Sequence, residues 1–335
     1  MVIESTAPTR IDLAGGAFDV YPLYLFEGGG VTVNMAITLL NKVRLETRED
    51  KEIHLHSIDL MVKEEAKDVD SLNLESELGF VARIIKFYRP KTGLNVTTKN
   101  TIPKGSGLGT SSSLLIALSG ALNELNKTGV SAEQFIDYGA NIEAQSLKVP
   151  TGKQDYYAAV YGGVNAIWSE LKGCRLEKIP FDDESIEEFN QRIILSFTGK
   201  PRFSGATNWN LVKGYIDGVG NTRQHLLGIK ATGLKMRECL LARDMEKFAI
   251  LLREEWENRK RCAEGVTTTQ IDKIIAEAKK NGALASKLCG AGGGGCMITY
   301  VKKGDREKIK NVLQSLGAKY MDARIAKQGL TITTQ

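Results

Sequence analysis

The 335-residue chain contains no apolar run of membrane-spanning length, only three histidines, and five cysteines without a CxxC pair. Each absence removes a class of function. Without about 20 consecutive apolar residues no helix crosses a bilayer, and the opening "MVIESTAPTR" lacks the apolar core of a secretory signal. Cys174, Cys239, Cys262, Cys289 and Cys296 are odd in number and scattered. That argues against a disulfide framework or a zinc site and for reduced thiols in the cytoplasm. His54 and His56 alternate in "EIHLHSI" and read as neighbours on one face of a surface strand. Clusters of Lys and Arg interleaved with aromatics are also missing. The net charge of +5 is spread, and "KVRLETREDKE" and "VKEEAKD" mix both signs. Such segments are solvated faces, so neither nucleic acid nor membrane is expected as a partner. A mild basic excess fits a small anionic ligand.

What is present is an ordinary globular composition, 42% hydrophobic and 25% charged. The length predicts two domains, and the acidic stretch "FDDESIEE" is the candidate boundary, giving 1–180 and 181–335. The first 60 residues predict short strands and turns, among them "VTVNMAI", "KVRLETRE" and "EIHLHSI". Helices are predicted over "ESELGFVARIIKFYR", over about 111–127, and over "SAEQFIDYGANIEAQSLKV". The last begins with Ser131 as N-cap and Gln134 three residues on, a capping box. "GGVNAIWSELKGCRLEKIP" predicts a hairpin turning at Lys172 and Gly173. Later come a strand at "RIILSFTG", a long helical region, and a glycine run that opens onto a strand in "SKLCGAGGGGCMITYV". Strands and helices without a regular βαβ alternation indicate an α+β fold.

Two glycine-rich segments stand out. "PKGSGLGTSSS" at 103–113 runs straight into the apolar helix "LLIALSGALNEL". It is not a Walker loop, because no lysine follows Gly109, and its spacing is not GxGxxG. Glycines let backbone N–H groups turn inward, and the first turn of a helix leaves several N–H groups unpaired. The segment therefore fits either a phosphate cradle at a helix N-terminus or a tight turn with a serine cap. "GAGGGG" at 290–295 lies far away in sequence. Two such loops point to two sides of one binding site.

These segments carry a resemblance. "PKGSGLGTSSS" resembles the PxxxGLGSSAA motif of the GHMP kinases, the superfamily of galactokinase, homoserine kinase, mevalonate kinase and phosphomevalonate kinase. "KLCGAGGGGCMITY" is similar to the superfamily's C-terminal glycine motif and "APTRIDLAGGAFDVYP" to its N-terminal motif. Thr110 replaces the usual serine, and Cys296 stands where an aromatic often follows. The resemblance implies a ribosomal-S5-like N-terminal domain, a ferredoxin-like C-terminal domain, and ATP with Mg2+. ATP is expected on Pro103, Gly105, Gly107, Leu108, Gly109, Thr110, Ser111 and Ser112, with Ser111 and Glu143 linked to the metal. Asp155 is expected at the acceptor hydroxyl, with Arg10 beside it and Lys153 assisting.

"R-I-x-x-A-G-G-x-x-D-V-x-P", "G-K-Q-D-x-Y-A-A-x-Y-G-G" and "TGKPRFS" are most similar to the D-glycero-D-manno-heptose 7-phosphate kinase subgroup. By that likeness Asp19 holds sugar hydroxyls, Lys200 and Arg202 grip a second phosphate, and Gly292 and Gly293 border the substrate. The expectation is a cytoplasmic sugar-1-kinase, monomer or homodimer. Its acceptor is a small sugar or sugar phosphate; free-sugar and non-sugar kinases of the same superfamily are the alternatives.

Overall fold

The two leading strands are much longer than the alternation predicts in the computed structural model, which describes residues 1–148, 150–199 and 204–335. β1 (Val2–Ala14) and β2 (Gly30–Arg48) form an antiparallel ribbon with an irregularity at Pro8 and Thr9. "VTVNMAI" and "KVRLETRE" are thus halves of one strand. They look separate because β2 changes neighbours along its length. Its first half is buried on both faces, and its second half alternates buried with exposed residues.

Between these strands lies the short helix α1 (Leu23–Phe26). After them come β3 (Ile53–Ser57), β4 (Val62–Ala66), α2 (Gly79–Tyr88), β5 (Gly93–Lys99), α3 (Thr110–Asn126), α4 (Ala132–Leu147) and α5 (Gln154–Tyr161). The hairpin β6 (Val164–Glu170) and β7 (Gly173–Ile179) turns at the predicted dipeptide. His54 and His56 lie on β3, where the His54 ring meets Glu52 at 2.9 Å. The predicted capping box is present: Ser131 Oγ accepts from Gln134 N, and Ser131 N donates to Gln134 Oε1 at 2.9 Å.

The acidic stretch is helical. Asp182 accepts from Ser185 N at 2.8 Å and caps α6 (Asp183–Arg192). β8 (Ile193–Phe197), α7 (Ser204–Ile216), α8 (Thr222–Leu241), α9 (Met245–Arg259) and α10 (Thr269–Lys280) follow. β9 (Ala285–Leu288), β10 (Cys296–Tyr300), α11 (Arg306–Ser315), β11 (Lys319–Met321) and β12 (Thr331–Thr334) close the chain. The glycine run is therefore the turn of the β9–β10 hairpin; four residues of β9 are too few to show a period.

Two sheets result. The first runs β12-β1-β2-β5-β3-β4, with β6 paired to β2 and β7 paired to β6. The second runs β11-β8-β10-β9, which is the 4-1-3-2 order of a ferredoxin-like sheet. Helix α3 packs on β1 and β2 through a buried stretch that includes Leu115, Ile116, Leu118 and Leu122. One apolar cluster joins the sheets, with Leu13, Val33 and Met35 on the first and Leu195, Cys296 and Ile298 on the second. Helix and strand mixed in this way is the α+β class. Among the described residues no helix is long and apolar enough to cross a membrane.

Candidate active site

The site forms where the two sheets meet, around the N-terminus of α3. Gly109 is the N-cap of α3, with φ of 72° and no side chain to cap the helix. The N–H groups of Thr110, Ser111 and Ser112 in the first turn have no intrahelical partner, and the helix dipole favours an anion there. Leu108 is buried beneath the loop, and its carbonyl accepts from Arg10 N at 3.0 Å. Pro103 O accepts from Ser106 N at 3.2 Å, and Thr110 O accepts from Asn41 Nδ2 at 3.0 Å. Gly105 and Gly107 share a φ of 74°.

The second glycine loop closes on the first. A Cβ on Gly107 would lie 2.5 Å from Cys289 O, and one on Gly290 would lie 2.9 Å from Gly107 O. Cys296 N donates to Ser106 O at 2.6 Å. The two loops therefore touch main chain to main chain, as two sides of one site require. Gly293 N donates to Val266 O at 2.5 Å, so this amide is engaged by its own half of the molecule. A Cβ on Gly292 would also meet Val266, 2.6 Å from its carbonyl oxygen.

Asp155 stands in the first turn of α5 and ion-pairs with Arg10 Nη2 at 2.6 Å. Arg10 Nη1 donates to Gly107 O at 2.6 Å, so one guanidinium joins the first glycine loop to the carboxylate. Burial raises the Asp155 carboxyl to about 7; Arg10 pulls it down, and Asp19, Glu143 and Asp12 push it further up. For Arg10, burial opposes the charge, but Asp155 and Asp12 outweigh it and raise the guanidinium. A Cβ on Gly109 would lie 2.8 Å from Asp155 Cγ. Position 109 thus makes room for the carboxylate as well as shaping the first glycine loop. Gly109→Ala is expected to cost about 1–3 kcal/mol of stability and roughly a hundredfold in kcat, because it displaces Asp155. Thermal unfolding and steady-state rates check both numbers.

Glu143, on α4, is 4% exposed. Its Oε1 accepts from Ser111 Oγ, and its Oε2 accepts from Ser112 Oγ at 2.7 Å and from the Tyr156 hydroxyl. Three neutral hydroxyls and, among the described residues, no cation surround this buried carboxylate. An all-oxygen donor set at a helix N-terminus fits magnesium. Ser111 and Glu143 are the residues that would hold it.

Asp19 is 3% exposed, and burial raises its carboxyl. Its Oδ2 accepts from Gln154 N at 3.0 Å, while Oδ1 has no partner among the described residues. Lys153 does not join the Arg10–Asp155 pair; its ammonium meets Asp137 at 2.6 Å. Lys200 and Arg202 lie outside the described residues.

Three further groups were not visible in the sequence. Lys287 Nζ lies 2.7 Å from Asp12 Oδ2 in a pair whose side chains are 1% and 3% exposed. Asp12 Oδ1 also accepts from Gly290 N at 2.7 Å. Burial opposes the charge on Asp12, but Lys287 and Arg10 bring its carboxyl down to about 2. On α9, Arg259 donates to Gly16 O at 3.0 Å and to Gly290 O at 3.2 Å. Glu255, one turn earlier, accepts from Gly15 N at 3.3 Å and is raised to about 7 by burial, against Lys287 and Arg259. These residues fasten the second sheet and α9 to the loop that leads to Asp19.

Comparison with known proteins places this geometry. Residues 78–163 match the GHMP kinases N terminal domain and residues 236–319 the GHMP kinases C terminal domain. The chain is similar to a D-glycero-alpha-D-manno-heptose 7-phosphate kinase of Campylobacter jejuni, 28% identical over 334 residues and 98% of each chain. It is also similar to a mevalonate kinase of Pyrococcus abyssi, 25% identical over 99% of this chain and 98% of the other. The crystal structure of a D-glycero-D-manno-heptose 1-phosphate kinase of Bacteroides thetaiotaomicron superposes with a TM-score of 0.80, at 25% identity and 99% coverage of both chains. Both halves of the family pattern occur in chain order, and they fold so that two glycine loops meet over a helix terminus with a carboxylate beside it: the chain belongs to the GHMP kinases and is an ATP-dependent kinase of a small molecule.

Proposed function

We propose that the chain transfers the γ-phosphate of ATP to the anomeric hydroxyl of a sugar that already carries a phosphate at its far end. The name of one similar protein, a D-glycero-alpha-D-manno-heptose 7-phosphate kinase, supports D-glycero-D-manno-heptose 7-phosphate as that acceptor. The observation that carries the sugar reading is the Oδ1 of buried Asp19, without a partner among the described residues and next to Asp155. A hydrogen-bond acceptor at that place calls for a hydroxyl.

The nucleotide phosphates lie over the N–H groups of residues 107–112. Arg10 faces the transferred phosphate and holds Asp155 in place. The acceptor oxygen attacks the γ-phosphorus, its proton passes to Asp155, and the bond to the bridging oxygen of ADP breaks. A bound magnesium ion neutralises charge on the phosphate oxygens. Ser111 and Glu143 orient that end of the site, and Ser112 and Tyr156 fix the Glu143 carboxylate. We assign the nucleotide end to 1–180 and the closing loop to 181–335. Five free thiols support a cytoplasmic setting.

The acceptor is tested with heptose 7-phosphate, its dephosphorylated form, galactose, fucose and mevalonate, with release of ADP as the readout. Preference for the free heptose over its phosphate would move the reading to a free-sugar kinase. We propose Lys200 and Arg202 as the grip on the distal phosphate. Arg202→Ala should then cost about ten- to a hundredfold in acceptor kcat/KM and nothing with the dephosphorylated form.

Asp155 must be ionised to take a proton, so kcat/KM for the acceptor is expected to rise with pH through about 7. Arg10 holds this carboxyl down, and Arg10→Gln should move the limb to higher pH. Glu143→Gln is expected to raise the magnesium concentration needed for half-maximal rate by about tenfold or more. Weaker Mn2+ binding, read by electron paramagnetic resonance with a non-hydrolysable ATP analogue, should accompany it.

A further inference from the structure

We propose that Gln154 reads the acceptor: its side-chain carbonyl and the unpaired oxygen of Asp19 form two hydrogen-bond acceptors for two hydroxyls of the sugar ring. The inference rests on the sugar reading above and adds a specificity residue to it. Gln154 is 7% exposed, and its Oε1 has no partner among the described residues. Its main chain is fixed from two sides. Gln154 N donates to Asp19 Oδ2 at 3.0 Å, and Gln154 O accepts from Asn34 Nδ2 at 2.9 Å. Asn34 is itself held, its Oδ1 accepting from Asn165 Nδ2 at 3.1 Å. The residue thus sits on a rigid mount, one position before Asp155.

Gly16 lies beside the amide nitrogen of the Gln154 side chain. A Cβ on Gly16 would come within 3.4 Å of Asp12 Oδ2, 3.7 Å of Gln154 Nε2 and 3.8 Å of Arg259 Nη1. Two buried acceptors without donors destabilise a protein on their own. Here they belong to two residues that are hydrogen-bonded to each other, next to the group that takes the acceptor proton. A polyhydroxylated ring supplies the two missing donors. A site built to bind hydroxyls rejects an analogue that lacks one, because its own polar group is left unpaired.

The test uses Gln154→Met, which keeps the volume and removes the carbonyl. The probe is whichever of heptose 7-phosphate, mannose, galactose or fucose the wild type phosphorylates fastest, together with its monodeoxy forms. The variant should raise acceptor KM by about tenfold or more, with ATP affinity unchanged and the melting temperature unchanged or higher. One monodeoxy form should be about tenfold poorer than the parent sugar for wild type, yet equal to it for the variant. A variant that discriminates among the monodeoxy forms just as wild type does overturns the assignment of Gln154 while the sugar reading stands. A wild type that phosphorylates none of the sugars removes both. Should Gln154→Met melt early, Gln154→Asn, which withdraws the carbonyl by one methylene, is judged by the same comparison.

Discussion

Asp155→Asn is expected to bind ATP as wild type does and to lose about 10^2–10^4 in kcat, the usual contribution of a positioned base. Asparagine keeps the shape of the side chain. It loses the charge that pairs with Arg10 at 2.6 Å and the ability to take the proton of the acceptor. The contribution exists only as that proton moves, so the loss should fall on kcat and leave acceptor KM nearly alone. A second signature separates this role from a structural one. The rise in rate through about pH 7 belongs to the Asp155 carboxyl and should disappear in the variant, leaving a flat, slow profile. Calorimetry of ATP binding and a coupled assay for ADP measure the two halves. A loss of less than about tenfold would remove Asp155 from the chemistry.

Lys287→Met should have the largest effect on stability. The Lys287 ammonium lies 2.7 Å from Asp12 Oδ2 and 2.8 Å from Asp12 O, in a pair that is almost wholly buried. Removing the cation leaves a carboxylate in the interior with a main-chain amide and the more distant Arg10. Breaking a buried pair from one side costs about 3–5 kcal/mol, a fall in melting temperature on the order of 10 °C. The pH dependence has a definite sign. Asp12 is held at about 2, below its ordinary 3.8, so its stabilising effect is present above 3.8 and is lost as pH falls toward 2. In Lys287→Met this gain vanishes, and the deficit against wild type should shrink on acidification. The double variant Asp12→Leu with Lys287→Met should recover much of the stability but not the rate, because Gly290 N also loses its acceptor, 2.7 Å away.

Features set by neighbours in sequence were legible from the chain. The Ser131 capping box, the turn at Lys172 and Gly173, and α3 following a glycine loop are decided within a few residues. The meeting of the two glycine loops could be inferred only because each is odd where it stands. Glu143 and Asp155 needed the family likeness, since a carboxylate on a helix is most often solvated. Asp12, Glu255, Arg259 and Lys287 carried no signal at all. Lys287 meets a partner 275 positions away and Arg259 one 243 positions away, and on their own elements each looks like a surface charge. β2 was divided in two because its partners change midway, which alters its burial pattern without breaking the strand.

The seam between the glycine loops has a consequence for how such an enzyme can diverge. Gly107 faces Cys289 O, Gly290 faces Gly107 O, and Cys296 N faces Ser106 O. Each of these three contacts is main chain on both sides, which mutation cannot retouch by exchanging one side chain for another, while Arg10, Asp12 and Arg259 brace the same loops with side chains. A substitution there either leaves the seam as it was or pries it open. Gradual retuning is closed off at those three contacts, whereas the wall bearing Asp19 and Gln154 is made of side chains and open to it. Descendants of this enzyme can therefore exchange one acceptor for another by small steps while their hold on the nucleotide stays as inherited.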